Sequence, residues 1–265
     1  MRSRVTGLEI ASLRRAPGGT SIGVTMAMRR VYHRPVVEIL FLCTRRPGLS
    51  HADYAAHLLA RHAPLALRHH PRLRAYAVNV VDEALGDAEP IDSVNALQFD
   101  ALADFEEHLY DSPEGERLVT EDHARFLAGA SGYAGRTRVH HDVQLAGEPG
   151  SATRGTQWVG ALRRRGQLSA ERFHDALDSA FVPDLLAGQP GATRLAILRV
   201  ERKLYPDSAP DWDAFVQLGF ADAARAPLHP FDSPDCAVSL RRRVAALCGA
   251  TAVWRVREHV QRRAT

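Results

Sequence analysis

The sequence predicts an α+β chain made of two tandem copies of one β-α-β-β-α-β unit that pack together as an α/β barrel. Three observations predict it. Landmarks recur 119 residues apart: Leu49-Ser50 as Leu168-Ser169, Tyr54 as Phe173, Leu58 as Leu177, Pro64 as Pro183 and Pro71 as Pro190. Further on the offset becomes 121, where Phe99 returns as Phe220 and His-Leu-Tyr-Asp-Ser-Pro (108–113) as His-Pro-Phe-Asp-Ser-Pro (229–234). Both stretches also parse into the same order of strand-like and helix-like patterns. Just before the repeat, Arg45-Arg46 and Gly48 match Arg163-Arg164 and Gly166 with a one-residue slip.

In the first copy, Val36 to Cys43 is a nearly continuous apolar strand. Ser50 is a good N-cap, because its hydroxyl can accept a hydrogen bond from a free N–H of the first helical turn. The helix after it runs toward Pro64, whose missing N–H should break or kink it. Arg74 to Val81 alternates as a strand, with Tyr76, Val78 and Val80 on one face. Val94 to Phe99 is a third strand. Ala101 to Tyr110 and Glu114 to Leu127 read as helical, and Gly135 to Val143 as the last strand. The second copy repeats this with Gln157 to Leu162, Ser169 to Ala187, Arg194 to Glu201, Asp213 to Phe220, Ala237 to Cys248 and Ala252 to His259. This order is the split βαβ, or ferredoxin-like, arrangement. Each sheet has one helix-covered face and one bare face, and the two bare faces are expected to pack within the one chain.

The resulting domains are 34–146 and 156–265, the second degenerate, joined by a Gly/Pro/Ser/Thr-rich linker at 147–155. Residues 1–33 read as a disordered tail, and Met26 or Met28 offers an alternative start. Arg14-Arg15 is followed by a stretch too short, and too soon closed by Arg29-Arg30, for a twin-arginine export signal. The 265 residues carry 34 basic and 31 acidic side chains, a net charge of +3. That balance argues against a nucleic-acid partner. No apolar run has the length of a membrane helix. Cys43, Cys236 and Cys248 show neither a zinc nor a disulfide spacing, which suits the reducing cytoplasm. The expected state is a monomer or homodimer.

Arg45-Arg46-Pro47-Gly48-Leu49-Ser50, Tyr54, Arg61-His62-Ala63-Pro64 and Pro71-Arg72-Leu73-Arg74-Ala75-Tyr76 resemble the EthD family of dimeric α/β-barrel proteins. So do Phe99, Asp111-Ser112-Pro113, Asp122 and Phe126. The resemblance covers residues 36–145 well and 156–259 more weakly, where His-Ala-Pro has become Phe181-Val182-Pro183. It implies small-molecule chemistry on aromatic or polyketide-like compounds, mostly without metal or organic cofactor. The family and its relatives span decarboxylases, dehydratases, cyclases, lactone isomerases and cofactor-independent monooxygenases. Fold-level likeness does not choose among these.

The repeat supplies an internal comparison. Phe173, Leu177 and Phe181 form an i, i+4, i+8 apolar stripe whose counterparts are Tyr54, Leu58 and His62. An imidazole at an inward position that the sister copy fills with phenyl is a candidate proton-transfer group. Asp122 and His123 become Arg243 and Val244 in the second copy, which adds a carboxylate to orient an imidazole and a second acid/base. Tyr54 and Leu58 are expected to line the substrate site. Arg45 could stabilise an enolate or carboxylate, although both copies keep an arginine pair, which favours a structural role. His108 is shared as His229 and reads as structural; His57 and Arg61 read as exposed. The pairs His69-His70 and His140-His141 point in divergent directions and lack a third ligand, so no metal is expected.

The expectation is a cofactor-free lyase, cyclase or isomerase that moves a proton on an enolisable aromatic or polyketide-like intermediate. A cofactor-independent monooxygenase and a non-catalytic small-molecule carrier remain open.

Overall fold

The apolar run after Val36 forms the first strand, β1 (Val37–Arg45). The computed structural model describes residues 36–143, 152–153, 155–222, 226–231 and 238–262. The tail expected over 1–33 lies outside them. Ser50 caps α1 (His51–His57), its hydroxyl accepting the Asp53 N–H. Pro64 does not end the helix; the disturbance expected there is a distortion just ahead of it. The chain widens into a π-turn, Leu58–His62, and continues as α2 (Ala63–His69). The Ala63 N–H reaches back five residues to the Leu58 carbonyl. A wider turn absorbs the donor that proline lacks and the bulk of its ring.

Strands β2 (Ala75–Leu85) and β3 (Ser93–Phe99) follow, then a short α3 (Leu102–Glu106), α4 (Pro113–Phe126) and β4 (Leu127–Asp142). The same order returns with β5 (Thr156–Arg164), α5 (Ala170–Ala176), a second π-turn at Leu177–Phe181 ahead of Pro183, and α6 (Val182–Gly188). Then come β6 (Ala192–Tyr205), β7 (Ala214–Phe220), α7 (Val238–Leu247) and β8 (Cys248–Arg262). Of the expected linker, Ala152 bridges to His259 and the Thr153 hydroxyl donates to Glu258 at 2.8 Å, so this part is fastened to β8. Among the described residues no helix is long and apolar enough to cross a membrane.

The eight strands close into one antiparallel barrel in the order β1-β3-β2-β8-β5-β7-β6-β4. This corrects the picture of two separate sheets stacked by their bare faces. β2, β4, β6 and β8 are long enough to pair on both sides, so β2 bonds to β8 and β4 to β6. Closure leaves neither half with an unpaired edge strand among the described residues. Side chains alternate across the wall. Leu40, Val94, Tyr133, Val159, Phe215 and Trp254, drawn from both halves, fill the lumen. The other face of each half's strands packs on that half's own helices, through Ile39, Leu97 and Phe99 in the first and Leu162, Val216 and Phe220 in the second. Glu38 is buried, accepting from the Gln98 amide at 2.9 Å and, across the halves, from Gln217 at 3.3 Å. Burial pushes its carboxyl up, against the pull of those two amides.

The one-residue slip expected at the arginine pair is also corrected. Arg45 donates its backbone N–H to Asp92 at 2.7 Å and its Nε–H to the Leu49 carbonyl at 3.0 Å. Arg164 does the same with Asp213 at 2.8 Å and Leu168 at 3.1 Å, so Arg45 matches Arg164 with no slip. Each guanidinium also pairs with its aspartate. The same interaction, repeated in both halves, fixes the end of the first strand of each.

The β4–β6 seam depends on one glycine. A Cβ at Gly135 would stand 1.9 Å from the Arg199 carbonyl oxygen, at a register shift between the two strands. Gly135→Ala is expected to cost about 1–3 kcal/mol of stability, because backbone must move to admit the methyl. Urea denaturation checks this; an unchanged midpoint would show that the seam yields freely.

Candidate active site

α4 is set by its cap. The Ser112 hydroxyl accepts the Gly115 N–H at 3.0 Å, and Pro113 opens the helix. Val119, Asp122 and Phe126 then fall on the buried face. This aims the Asp122 carboxylate at the π-turn of the first helix. His62 Nδ1–H donates to Asp122 Oδ2 at 3.0 Å, and His57 Nε2–H donates to Oδ1 at 2.9 Å. On a regular α-helix, residues five apart point about 140° away from each other. The i→i+5 bonding of the π-turn brings them nearly into line, which lets both rings reach one carboxylate.

Burial alone would raise the Asp122 carboxyl. The bonds from His62 and His57 outweigh it and hold it below the ordinary carboxylate range. An ionised Asp122 can only accept, so His62 carries its proton on Nδ1 and keeps a lone pair on Nε2. That Nε2 lies 3.2 Å from Nε2 of His123. Burial, and then the neighbouring His62, push His123 down to about 4. The two Nε2 atoms are thus within hydrogen-bond reach of each other, with Asp122 behind His62. Phe126 packs on His57, His62 and Tyr54, with ring centroids 4.8, 4.9 and 5.5 Å away.

His62 and His123 open onto a cavity of about 380 Å³ between the sheet of the first half and its helices. Leu58, Phe41, Leu97, Phe105 and Phe126 supply apolar wall; Tyr76, Asn95, His70 and Tyr110 supply polar atoms; Tyr205 of β6 closes one side. Among the described residues no arginine or lysine lines it. The walls are therefore aromatic and uncharged, fitting a flat neutral ligand better than a carboxylate or phosphate.

Of the residues singled out in the sequence, His62, His123 and Leu58 line this cavity, and Asp122 stands directly behind them. Tyr54 and Arg45 do not. Tyr54 is fully buried with its hydroxyl 2.7 Å from the Ser93 hydroxyl, and Arg45 is engaged by Asp92. From that helical position the Tyr54 ring reaches the start of β3 instead of the cavity. His57, read as an exposed helix residue, holds Asp122 with 20% of its side chain exposed. His70 and Asn95 went unremarked as site residues. The offset comparison could have found them, since Gln189 and Val216 stand at the matching positions. His70 Nδ1–H donates to the Leu109 carbonyl at 3.0 Å, and burial pushes the ring down to about 4, so it presents a neutral imidazole.

The corresponding positions of the second half are filled by apolar side chains. Phe173, Leu177 and Phe181 are fully buried, and Phe231 lies 5.8 Å from Phe181, over Gly160. Gly160 pairs with Val216 as Phe41 pairs with Asn95, so the missing side chain makes room for the Phe231 ring.

Residues 46–130 match the family model described as the EthD domain. No curated protein matches the sequence. Solved structures share the fold. A putative monooxygenase from Lactobacillus acidophilus NCFM is 11% identical over 87% of this chain and 98% of its own, with a TM-score of 0.51. An anthrone oxidase-like protein is 13% identical over 86% and 94%, with a TM-score of 0.59. A second protein described as a monooxygenase of that kind, from Fusobacterium nucleatum subsp. nucleatum, is 8% identical over 88% and 94%, at 0.53.

The buried imidazoles set an acid response. His70 and His123 bind protons less readily folded than unfolded. Between the ordinary histidine value and about pH 4 the unfolded chain therefore takes up more protons, and stability falls as pH drops. Asp122 adds a further loss at lower pH, since its folded carboxyl is depressed. His70→Gln, which copies Gln189, is expected to remove about 1–3 kcal/mol of the loss between pH 6.5 and 4. Urea midpoints measured across that range test it; identical pH slopes in both proteins would refute it.

Proposed function

We propose that the EthD domain of this chain is an acid–base enzyme acting on a neutral, enolisable aromatic or polyketide-like compound. The observation that carries this reading is the Asp122–His62–His123 array opening onto an aromatic, uncharged cavity. A proton removed beside a substrate carbonyl passes to the two-imidazole pair. An imidazolium at His62 has an acceptor on each side, Asp122 at Nδ1 and His123 at Nε2. His123, held neutral by burial, accepts that bond. The protonated pair can return the proton to another substrate atom, which is the shared logic of lyase, cyclase and isomerase chemistry.

A second reading keeps the same first step and lets the substrate carbanion react with oxygen. The monooxygenase and anthrone oxidase-like names of the structural neighbours favour it. Anthrone, a tricyclic ketone with an acidic CH₂, serves both readings as a probe. Hydrogen–deuterium exchange under nitrogen reports proton abstraction, and oxygen uptake in air reports the oxygenase.

We also read residues 34–146 and 156–265 as two ferredoxin-like copies, the second without a working site. The paired Ser50 and Ser169 caps, the two π-turns and the two Arg–Asp pairs support this. The substrate is then held mainly by the first half, with Tyr205 of the second closing one side of the cavity.

His62→Phe copies what position 181 already carries, so the variant should fold, with stability changed by about 1–3 kcal/mol. Exchange at the anthrone CH₂ is expected to fall by about 10²–10⁴-fold. A folded variant with unchanged exchange would remove His62 from the reaction.

A further inference from the structure

We propose that Tyr76 is the group that recognises the ligand oxygen, its phenol O–H donating to a ketone carbonyl held in the cavity and to the enolate formed from it. The inference rests on the reading of this cavity as a site for an enolisable aromatic ketone, and it adds a hydrogen-bond donor to the imidazole pair.

Tyr76 lies on β2, lines the cavity and is only 2% exposed. Among the described residues nothing hydrogen-bonds its hydroxyl. Burial pushes the phenol up, the nearby Cys43 adds to this, and the group stays protonated. The oxygen is nevertheless not sealed in. Oδ1 of Asn95 and Nε1 of Trp158 are buried atoms with neither surface nor partner; the Tyr76 hydroxyl is not in that state, so its surface opens on the cavity that the residue lines. A hydroxyl this deep and without a partner is costly, and a ligand oxygen supplies the missing acceptor. The other polar groups of the wall leave this role open. His70 spends its N–H on the Leu109 carbonyl, His62 gives its Nδ1–H to Asp122, and the Asn95 amide turns Nδ2 toward Cys43 at 3.5 Å. The bare nitrogens of His70 and His62 accept. A ketone oxygen also only accepts, so it needs a donor, and a protonated phenol is one.

The chemistry calls for the same donor. When the C–H bond of the ketone breaks, the proton goes to the imidazole pair and the electron pair runs through the conjugated frame to the ketone oxygen. The phenol keeps its own proton and shares it with that oxygen, in a cavity whose described lining holds no arginine or lysine to balance the new charge. The sister half shows that the fold itself does not need a hydroxyl here. Leu195 of β6 pairs with Leu218 as Tyr76 pairs with Leu97, so leucine stands at the matching position, fully buried in that half's core.

The test is equilibrium binding, by calorimetry, of fluorenone and of fluorene, which has the same three-ring frame without the carbonyl. Fluorenone has no hydrogen to lose beside its carbonyl, so binding is read without turnover. Wild-type protein should prefer fluorenone by about tenfold or more. Tyr76→Phe removes only the hydroxyl. It should lose that preference while binding fluorene at least as well and melting no lower than wild type. The carbonyl stretch of bound fluorenone, read by difference infrared spectroscopy, should lie at lower frequency in wild type than in the variant. Exchange at the anthrone CH₂ should fall by about 10²–10³-fold in Tyr76→Phe. His62→Phe should keep the fluorenone preference while losing exchange, which separates this role from the acid–base one. A preference or a carbonyl frequency that survives Tyr76→Phe, a lower melting temperature of that variant, or equal binding of the two compounds by wild-type protein would overturn the role of Tyr76 alone. Binding of neither compound would overturn the reading of the cavity along with it.

Discussion

Closure of the barrel is the constraint from which the rest follows. Once β2 bonds to β8 and β4 to β6, the lumen is shared property of both halves. Leu40, Val94, Val159, Phe215 and Trp254 must fill it to the density of any protein core. A ligand site therefore has to lie on the other face of the wall, between strands and helices. There each half's helices cover mainly its own strands, with crossings such as Tyr205 of β6 at the first half's cavity and α2 against β8. The two halves can then share one barrel and still differ completely in what their outer layers do.

The first half places one ionised carboxylate, Asp122, next to an otherwise uncharged cavity. Two imidazole N–H groups satisfy it, so the charge is held without a cation in the site. The second half puts Arg243 at that position and pairs it outward with Asp184 at 3.2 Å. Burying a lone carboxylate would be costly, and burying it under two donors that can themselves titrate makes it a store for one proton. The other polar wall groups are neutral: His70 and Cys43 by burial, Asn95 by nature. Polarity without net charge is what a flat ketone or phenol requires.

Much of the fold was legible in the sequence, because strand alternation, serine caps and a constant offset are local signals. The Phe181 counterpart exposed His62, and the Arg243-Val244 pair exposed Asp122 and His123. The start of β4 was hidden, since Leu127 to Gly135 is rich in Ala, Gly and Ser and reads as a loop; its strand character comes from β1 on one side and β6 on the other. The closing seams were hidden for the same reason, as pairing between halves leaves no mark on either strand alone. Tyr54 was placed on the correct helical stripe, but a stripe does not tell which level of the sheet a side chain meets. His57 was hidden by the π-turn, which breaks the periodicity on which that reading relied.

The π-turn has a consequence best put in terms of phase. Widening one turn of a helix is equivalent to adding a single residue within it and letting the rest of the helix resume its course. Everything before the extra residue is rotated by about 100° against everything after it. Leu58–His62 thus works as a one-residue indel written into the first helix. Its effect is to turn His57 onto the carboxylate that His62 already holds, without moving any backbone that the barrel depends on. A single codon gained or lost in this stretch would re-aim the side chains around Asp122 while leaving strand pairing intact. Chemistry at this site can therefore change by a shift in helical register as readily as by a change of side chain.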